Sequence, residues 1–151
     1  MVPFGGWDMP VEYSGLIAEH TAVRTAAGLF DVSRMGQFEV AGEGALAFLQ
    51  RTTANNVAKL VDGQAQYSAL AMPTGCPVDD IIVYRRSERR YLVVVNAANI
   101  EKDWNWLLAQ KPSGCGLHDL SDQFALLALQ GPKAEAILQA LTPIDLSQVA
   151  F

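Results

Sequence analysis

Alternation of apolar and polar residues is strongest in the middle of the chain, where it predicts three consecutive β-strands. The segments are "GQAQYSALAM", "VDDIIVYRR" and "RYLVVVNA", all rich in β-branched and aromatic residues. The connections "PTGC" and "SER" are short enough for hairpins, so we expect an antiparallel meander. A further strand is predicted at "GQFEVAG", in which Phe38 and Val40 share one face and Gln37 and Glu39 the other.

Helical spacing flanks this region on both sides. A first helix is predicted over "SGLIAEHTAVRTAAG", with Ser14 as its N-cap and Gly28 as its left-handed stop. A later helix, "NAANIEKDWNWLLAQ", takes Asn96 or Asn99 as its cap, and Pro132 opens a last helix after a buried strand at "FALLALQGP". Strands in succession with helices at the flanks predict a single α+β domain with a largely antiparallel sheet.

The composition indicates a chain with its own core and argues against nucleic-acid binding and membrane insertion. Half of the 151 residues are hydrophobic, which is enough for one core. Acidic residues outnumber basic ones by 16 to 11, and the run "RRSERR" is typical of a solvated hairpin tip. Since phosphate binding needs a concentrated positive face, we expect no nucleic-acid partner. There is also no apolar run of about 18 residues, so we expect no membrane span.

The spacing of the cysteine and histidine residues does not indicate a disulfide, a CxxC motif or a metal site. Cys76 and Cys115 fit neither a CxxC pair nor a disulfide framework, which favours a reducing cytosol. His20 and His118 have no ligand-like spacing to a cysteine or a carboxylate. We therefore expect no metal site.

Two adjacent carboxylates, Asp79 and Asp80, stand at the start of an apolar strand. Neighbouring side chains in a strand point to opposite faces, so Asp80 should share a face with Val78, Ile82 and Tyr84 while Asp79 points the other way. Both faces are apolar further along, and burying an ionised carboxylate without partners is costly. We expect at least one of the two to lie at the edge of a buried surface.

The spacing alone leaves two interpretations of these carboxylates open. In the first, both accept hydrogen bonds from the backbone of the preceding turn, around Thr74 and Gly75. In the second, a carboxylate lies beside a cavity and meets a cationic or N–H-bearing ligand. A simple antiparallel register places Tyr67 and Asn96 beside Asp80, and this combination suits a flat heterocycle with polar edges.

Seven blocks spread over the chain resemble the N-terminal part of the aminomethyltransferases, the T-proteins of the glycine cleavage system. They include "VPFGGWDMPVEY", "GQAQYSAL", "VDDIIVY" and "VVVNAANIEKDWNWL", in the family's order. The resemblance implies that residues 1–151 are the N-terminal folate-binding region of a T-protein-like fold. Family chains run to more than twice this length, so it also implies a fragment that lacks the C-terminal part of the folate site.

The resemblance further implies a reaction. The family moves an aminomethyl group from the lipoyl arm of H-protein to tetrahydrofolate, the acceptor substrate, giving methylenetetrahydrofolate and ammonia. The family's critical carboxylate maps to Asp80, which the resemblance places in a water-poor pocket. The folate-binding positions map to Met35, Tyr67, Ile82, Tyr84 and Asn96.

Two other functions stay open beside this one. A folate-dependent demethylase of the same superfamily would use a methylated sulfur, oxygen or nitrogen compound as donor. A folate-binding factor for iron–sulfur maintenance would not be an enzyme. If the chain belongs to a T-protein, we expect it in the bacterial cytoplasm, or in the mitochondrial matrix of a eukaryote. We also expect this fragment alone to show little activity and little folate binding.

Overall fold

A computed structural model describes residues 1–149, which form two compact units. The first unit comprises residues 1–33 together with the chain from Ala125 onward, and the second comprises Arg34–Phe124. Both are built from antiparallel strands and helices, which confirms the predicted α+β class. In the described part of the chain, every helix falls short of the length and apolarity that a bilayer crossing requires.

The regular elements are numbered in chain order. The strands are β1 (Val2–Phe4), β2 (Trp7–Met9), β3 (Gly28–Asp31), β4 (Gly36–Ala41), β5 (Ala65–Ala71), β6 (Pro77–Ser87), β7 (Arg90–Val95), β8 (Gly116–Asp119) and β9 (Leu127–Gln130). The α-helices are α1 (Leu16–Thr25), α2 (Ala45–Thr52), α3 (Ile100–Gln110) and α4 (Ala134–Gln139). Short 3₁₀ turns occur at Val57–Lys59, Ala97–Asn99, Ser121–Gln123 and Leu146–Gln148.

The first unit contains two antiparallel strand pairs, β1 with β2 and β3 with β9. Gly5 and Gly6 connect β1 to β2 with positive φ angles of 56° and 86°, which glycine adopts without steric cost. The strand predicted at "FALLALQGP" is present as β9, but the expectation that it is buried is wrong, since Leu127 is 58% exposed. Pro132 lies in the turn that precedes α4.

The predicted ends of α1 are wrong. The N-cap is Gly15, and the carboxylate of Glu19 accepts hydrogen bonds from the backbone N–H groups of Ser14 and Gly15, so Ser14 caps nothing. Gly28 is not the stop either, because it opens β3. A Cβ at Gly28 would lie 2.5 Å from a methyl carbon of Val23, so close packing between helix and strand requires glycine there.

The second unit is organised around a five-stranded antiparallel sheet with strand order β5-β6-β7-β4-β8. The predicted antiparallel meander is confirmed, and it consists of β5, β6 and β7. The predicted strand at "GQFEVAG" is β4, and it lies between β7 and β8.

One face of this sheet forms the core with α2 and α3. The rings of Phe38 and Trp104 meet edge to face, with their centroids 5.2 Å apart. Burying a side chain of this size contributes roughly 1.5–3 kcal/mol. The largest fully buried side chains of the unit include Tyr91, Phe38, Phe48, Leu49, Leu70, Ile81 and Leu107.

A bulge at Val78 lies directly before the two carboxylates. Leu70 pairs with Asp79 and Ala71 with Pro77, so Val78 is an extra residue in β6. Val78 packs against the core, and the expectation that it shares the face of Asp80 is therefore wrong. From Asp79 onward the pairing is regular, and the alternation directs Asp79 toward the core side and Asp80 toward the opposite face.

Candidate functional site

The side chains of Tyr67 and Asn96 converge on Asp80 from the strands on either side. The phenol of Tyr67 donates a hydrogen bond to Oδ2 of Asp80 at 2.5 Å. The amide of Asn96 donates to Oδ1 of Asp80 at 3.0 Å and to its backbone oxygen at 3.2 Å. Each carboxylate oxygen thus has one donor, and the predicted grouping of these three residues is present.

Asp79 accepts hydrogen bonds on the other side of β6. Asn96 reaches both of its carboxylate oxygens at 3.2 Å, and Asn99 donates to Oδ1 at 2.9 Å. Asn99 occupies the N-cap position of α3 but makes no capping hydrogen bond within residues 1–149, because its amide faces Asp79. The one amide of Asn96 therefore bridges the two neighbouring carboxylates.

The alternative in which the turn backbone binds both carboxylates is not found in the described chain. The N–H of Gly75 donates to the carbonyl of Met72, closing the turn without Asp79 or Asp80. The side-chain partners of the pair come from β5, from the end of β7 and from the start of α3.

Ile82 and Tyr84 continue the face that carries Asp80. Ile82 lies opposite Tyr67, and Tyr84 lies opposite Ala65. Tyr67 is 64% exposed and Tyr84 37% exposed, so both rings present area to a ligand. The side chain of Asp80 is also exposed, and the expectation of a water-poor pocket is not met by this chain.

Met35 lies at the bend before β4 and is half-buried. The next residue, Gly36, pairs with Val95, which precedes Asn96. Met35 is therefore placed at the same end of the sheet as Asn96, although the hydrogen bonds that organise Asp80 do not involve it.

The surroundings shift the pKa values of Tyr67 and Asp79 in opposite directions. The hydrogen bond from Tyr67 to Asp80 raises the pKa of the phenol, and burial and the two negative charges act in the same direction. For Asp79, burial alone would raise the pKa, but the adjacent Asp103 carboxyl group, the hydrogen bonds from Asn96 and Asn99 and the charge of Lys102 outweigh it and lower the pKa. Asp79 is thus held as a carboxylate.

Three residues of this network were not predicted as site residues: Asn99, Lys102 and Asp103. The ammonium of Lys102 donates to the carbonyl of Val78 at 2.8 Å. Asp103 is completely buried and lies against Asp79. The sequence does carry a signal for it, because Asp103 is four residues from the core residue Leu107 and so lies on the apolar stripe of α3.

The chemistry of this group suits a ligand with N–H groups or positive charge more than a metal ion. Among residues 1–149, no three His, Cys, Asp or Glu side chains are grouped so that they could hold a metal. Both cysteines of the described chain are free thiols, with Cys76 exposed and Cys115 buried.

Comparisons with known proteins point to one family. The GCVT N-terminal domain family matches residues 1–151. The aminomethyltransferase of Flavobacterium psychrophilum is 52% identical over all of this chain, and that of Deinococcus deserti is 58% identical over 97% of it. The crystal structure of glycine cleavage system aminomethyltransferase T from Bartonella henselae superposes with a TM-score of 0.91 at 37% identity, covering 99% of this chain.

The chain spans less than half the length of these relatives. It covers 42% of the Flavobacterium protein, 41% of the Deinococcus protein and 41% of the Bartonella chain.

Proposed function

The chain belongs to the GCVT N-terminal domain family, and from this premise we propose that it forms the folate-binding part of an aminomethyltransferase. The reaction is transfer of an aminomethyl group from the lipoyl arm of H-protein to tetrahydrofolate, with release of ammonia and formation of methylenetetrahydrofolate. The observation that carries the proposal is the placement of Asp80, which Tyr67 and Asn96 hold from both sides.

The exposed face around Asp80 fits the pterin ring of a folate in shape and polarity. A pterin is flat and apolar on its faces, and its edges carry N–H groups. Tyr67 and Tyr84 offer ring area for contact with such a plane, and Ile82 adds an aliphatic surface between them. Asp80 offers acceptor oxygens to an N–H edge, and Asn96 supplies an amide for the rim.

Met35 completes the set of proposed folate contacts. It precedes Gly36, which pairs with Val95, so its adaptable thioether belongs to the end of the sheet at which Asn96 lies. In this arrangement Met35, Ile82 and Tyr84 bind and orient the folate, while Asp80 acts on the reacting atoms.

The proposed role of Asp80 is electrostatic and acid–base. Cleavage of the carbon–sulfur bond of an aminomethyl thioether leaves the electron pair on the lipoyl sulfur, which departs as a thiolate, and builds positive charge on the aminomethyl group, toward an iminium. A fixed carboxylate stabilises that charge and accepts a proton from a ring nitrogen of the folate as the new carbon–nitrogen bond forms. Positioned groups of this kind are worth roughly 10²–10³ in turnover.

Tyr67 and Asn96 keep the carboxylate ready for this role. Each donates to a different oxygen of Asp80, so the carboxylate plane is fixed before a substrate arrives. Fixed geometry lowers the barrier because less reorganisation is needed during the reaction.

A direct assay tests the proposed function. A full-length aminomethyltransferase carrying this chain is incubated with tetrahydrofolate and aminomethylated H-protein, and methylenetetrahydrofolate and ammonia are measured. We expect both products in equal amounts. Parallel reactions offer N-, O- and S-methylated donors in place of H-protein. Folate-dependent turnover of a methylated donor, without turnover of aminomethylated H-protein, would instead identify a demethylase.

A further inference from the structure

The buried carboxyl group of Asp103 has an unusual environment in the second unit. Its exposed fraction is 0%, and no hydrogen-bond donor in the described residues reaches either of its oxygens. An ionised carboxylate in that situation would be strongly disfavoured, because it has lost its water without gaining a partner. The carboxylate of Asp79 is a polar group next to Asp103.

Contact between two carboxyl groups becomes favourable when they share one proton. One group is then a donor and the other an acceptor, and the repulsion between two negative charges disappears. The surroundings decide which group carries the proton. Asp79 receives amide donors from Asn96 and Asn99, whereas Asp103 receives none in residues 1–149. The proton therefore belongs on Asp103.

The charged groups around the pair agree with this assignment. Burial raises the pKa of Asp103 to about 7, with further contributions in the same direction from Asp79 and Asp80. Lys102, on the same helix, acts in the opposite direction on Asp103 and favours ionised Asp79. Asp79 and Asp80 on β6 and Lys102 on α3 are the charged groups that act on Asp103 in the described chain.

We propose that Asp103 is a protonated acid that donates a hydrogen bond to Asp79, and that this bond makes it a positioning residue for Asp80. The connection runs through Asn96, whose single amide contacts both carboxylates of β6. Asp103 and Asn99 fix the orientation of Asp79, and Asp79 in turn fixes the amide of Asn96. Asp103 thereby supports Asp80 from the core side of the sheet.

The positioning role of Asp103 rests on the proposed function, whereas the proton shared by Asp79 and Asp103 does not depend on it. Loss of the proton at alkaline pH leaves two negative charges in contact, and Asp79 must then move away. The amide of Asn96 loses its position between the carboxylates, and Asp80 loses one of its two donors. The activity should therefore fall as the pair releases its proton.

Carbon-13 NMR of aspartate carboxyl groups in this chain tests the shared proton directly. We expect one carboxyl resonance to titrate near neutral pH and to disappear in Asp103→Asn, while Asp79 stays ionised. The asparagine amide also donates a hydrogen bond, so this variant mimics the protonated acid at all pH values. Glu101→Gln is the matched control, since it removes one charge from an exposed position of the same helix. An Asp103 resonance that shows an ionised carboxylate at pH 5 overturns the proposal.

The pH dependence of kcat tests the positioning role in a full-length aminomethyltransferase carrying this chain. We expect wild type and Glu101→Gln to lose roughly tenfold in kcat on the alkaline side, the amount that one lost hydrogen bond to a charged group implies. Asp103→Asn should retain kcat there, and Asp103→Ala should be low at every pH. If Asp103→Asn falls in parallel with wild type, the positioning role is overturned. Absence of any aminomethyl transfer in wild type would instead count against the proposed function, and the NMR result would stand.

Discussion

Asp79 and Asp80 are neighbours in the chain, yet the strand directs them to different surroundings. Asp79 is half-buried among amides and a second carboxyl group, whereas Asp80 is exposed beside a phenol. Strand alternation fixes this division, because Asp79 shares the core-facing side of β6 with Ile81, whereas Asp80 lies on the opposite face. Asp79 thus stabilises the network on the core side, and Asp80 stays exposed on the opposite face.

The hydrogen bond between Tyr67 and Asp80 predicts a measurable change in tyrosine titration. That bond raises the pKa of Tyr67, so Asp80→Asn should lower it and shift part of the alkaline absorbance titration of this chain to lower pH. Tyr67→Phe identifies the contribution of this residue among the 4 tyrosines. Titration curves that are identical in wild type and Asp80→Asn would show that the phenol does not bind the carboxylate.

Strand alternation predicted the residues around Asp80 correctly because it depends on local geometry alone. A period of two placed Tyr67, Asp80 and Asn96 on one face once the meander was assumed. The same reasoning missed Asp103, since its partner lies on another element and the contact depends on how α3 packs on the sheet. The expected dry pocket failed for a similar reason, because exposure is a property of the surrounding surface.

At the scale of single elements, α3 connects the core to the site. Its apolar stripe buries Leu107 fully, while the adjacent Leu108 is 46% exposed. The same helix carries Asp103 on its buried side and follows Asn99, its N-cap position, whose amide binds Asp79. Packing of this helix therefore determines the positions of two groups that contact the Asp pair.

Substitutions at the two adjacent leucines test this packing. Leu107→Ala removes a fully buried side chain and should lower the free energy of unfolding by about 2–5 kcal/mol. Leu108→Ala is the matched control and should change it by about 0.5 kcal/mol or less. Denaturant unfolding of this chain measures both, and similar losses for the two variants would contradict the packing described for α3.

The stability of the chain should also depend on pH through Asp103. Its pKa is about 7 when folded and 3.8 in its ordinary state, so between these values the folded chain holds a proton that the unfolded chain has released. The free energy of unfolding should then fall with rising pH, by up to about 1.4 kcal/mol per pH unit. The lowered pKa of Asp79 acts below pH 3.8, outside this window.

Asp103→Asn cannot titrate at this position and should lose that slope, whereas Glu101→Gln should keep it. Chemical denaturation of the three proteins at a series of pH values between about 4 and 7 gives the comparison. Equal slopes in wild type and Asp103→Asn would show that Asp103 is ionised in the folded chain.

The type of each helix or strand could be predicted from the sequence better than the residues at which it begins and ends. The meander and α3 followed from hydrophobic periodicity, which is set by the core. The predicted ends of α1 were wrong because Glu12 accepts the first helical N–H, that of Leu16, in place of Ser14, and because Gly28 serves close packing with Val23. Both features depend on contacts with other turns of the chain, which spacing does not reveal.

Considered as a whole, this chain has about two-fifths of the length of its relatives, and it spans 42% of the Flavobacterium protein. The candidate folate face is exposed in it, and Tyr67 is 64% accessible. A ligand on an open face buries less area and meets fewer donors than one in a closed site. The chain alone should therefore bind folate less tightly than a full-length aminomethyltransferase does.

Isothermal titration with tetrahydrofolate measures this difference. We expect the chain alone to bind at least about tenfold more weakly than the full-length protein, which corresponds to about 1.4 kcal/mol. Asp80→Asn in the full-length protein serves as a second comparison, because it removes the charge and replaces one of the two acceptor oxygens proposed for the pterin edge with an N–H donor. Tight one-to-one binding by the chain alone would show that the face described here is a sufficient site.

The role of Asp80 is tested most directly by the turnover of Asp80→Asn in a full-length aminomethyltransferase carrying this chain. Asparagine keeps the size of the side chain and removes its charge, so the fold should survive, which circular dichroism checks. We expect kcat for methylenetetrahydrofolate formation to fall by about a hundredfold or more, because the developing positive charge loses its carboxylate. A folded Asp80→Asn protein with nearly wild-type kcat would contradict the account and place the critical carboxylate elsewhere.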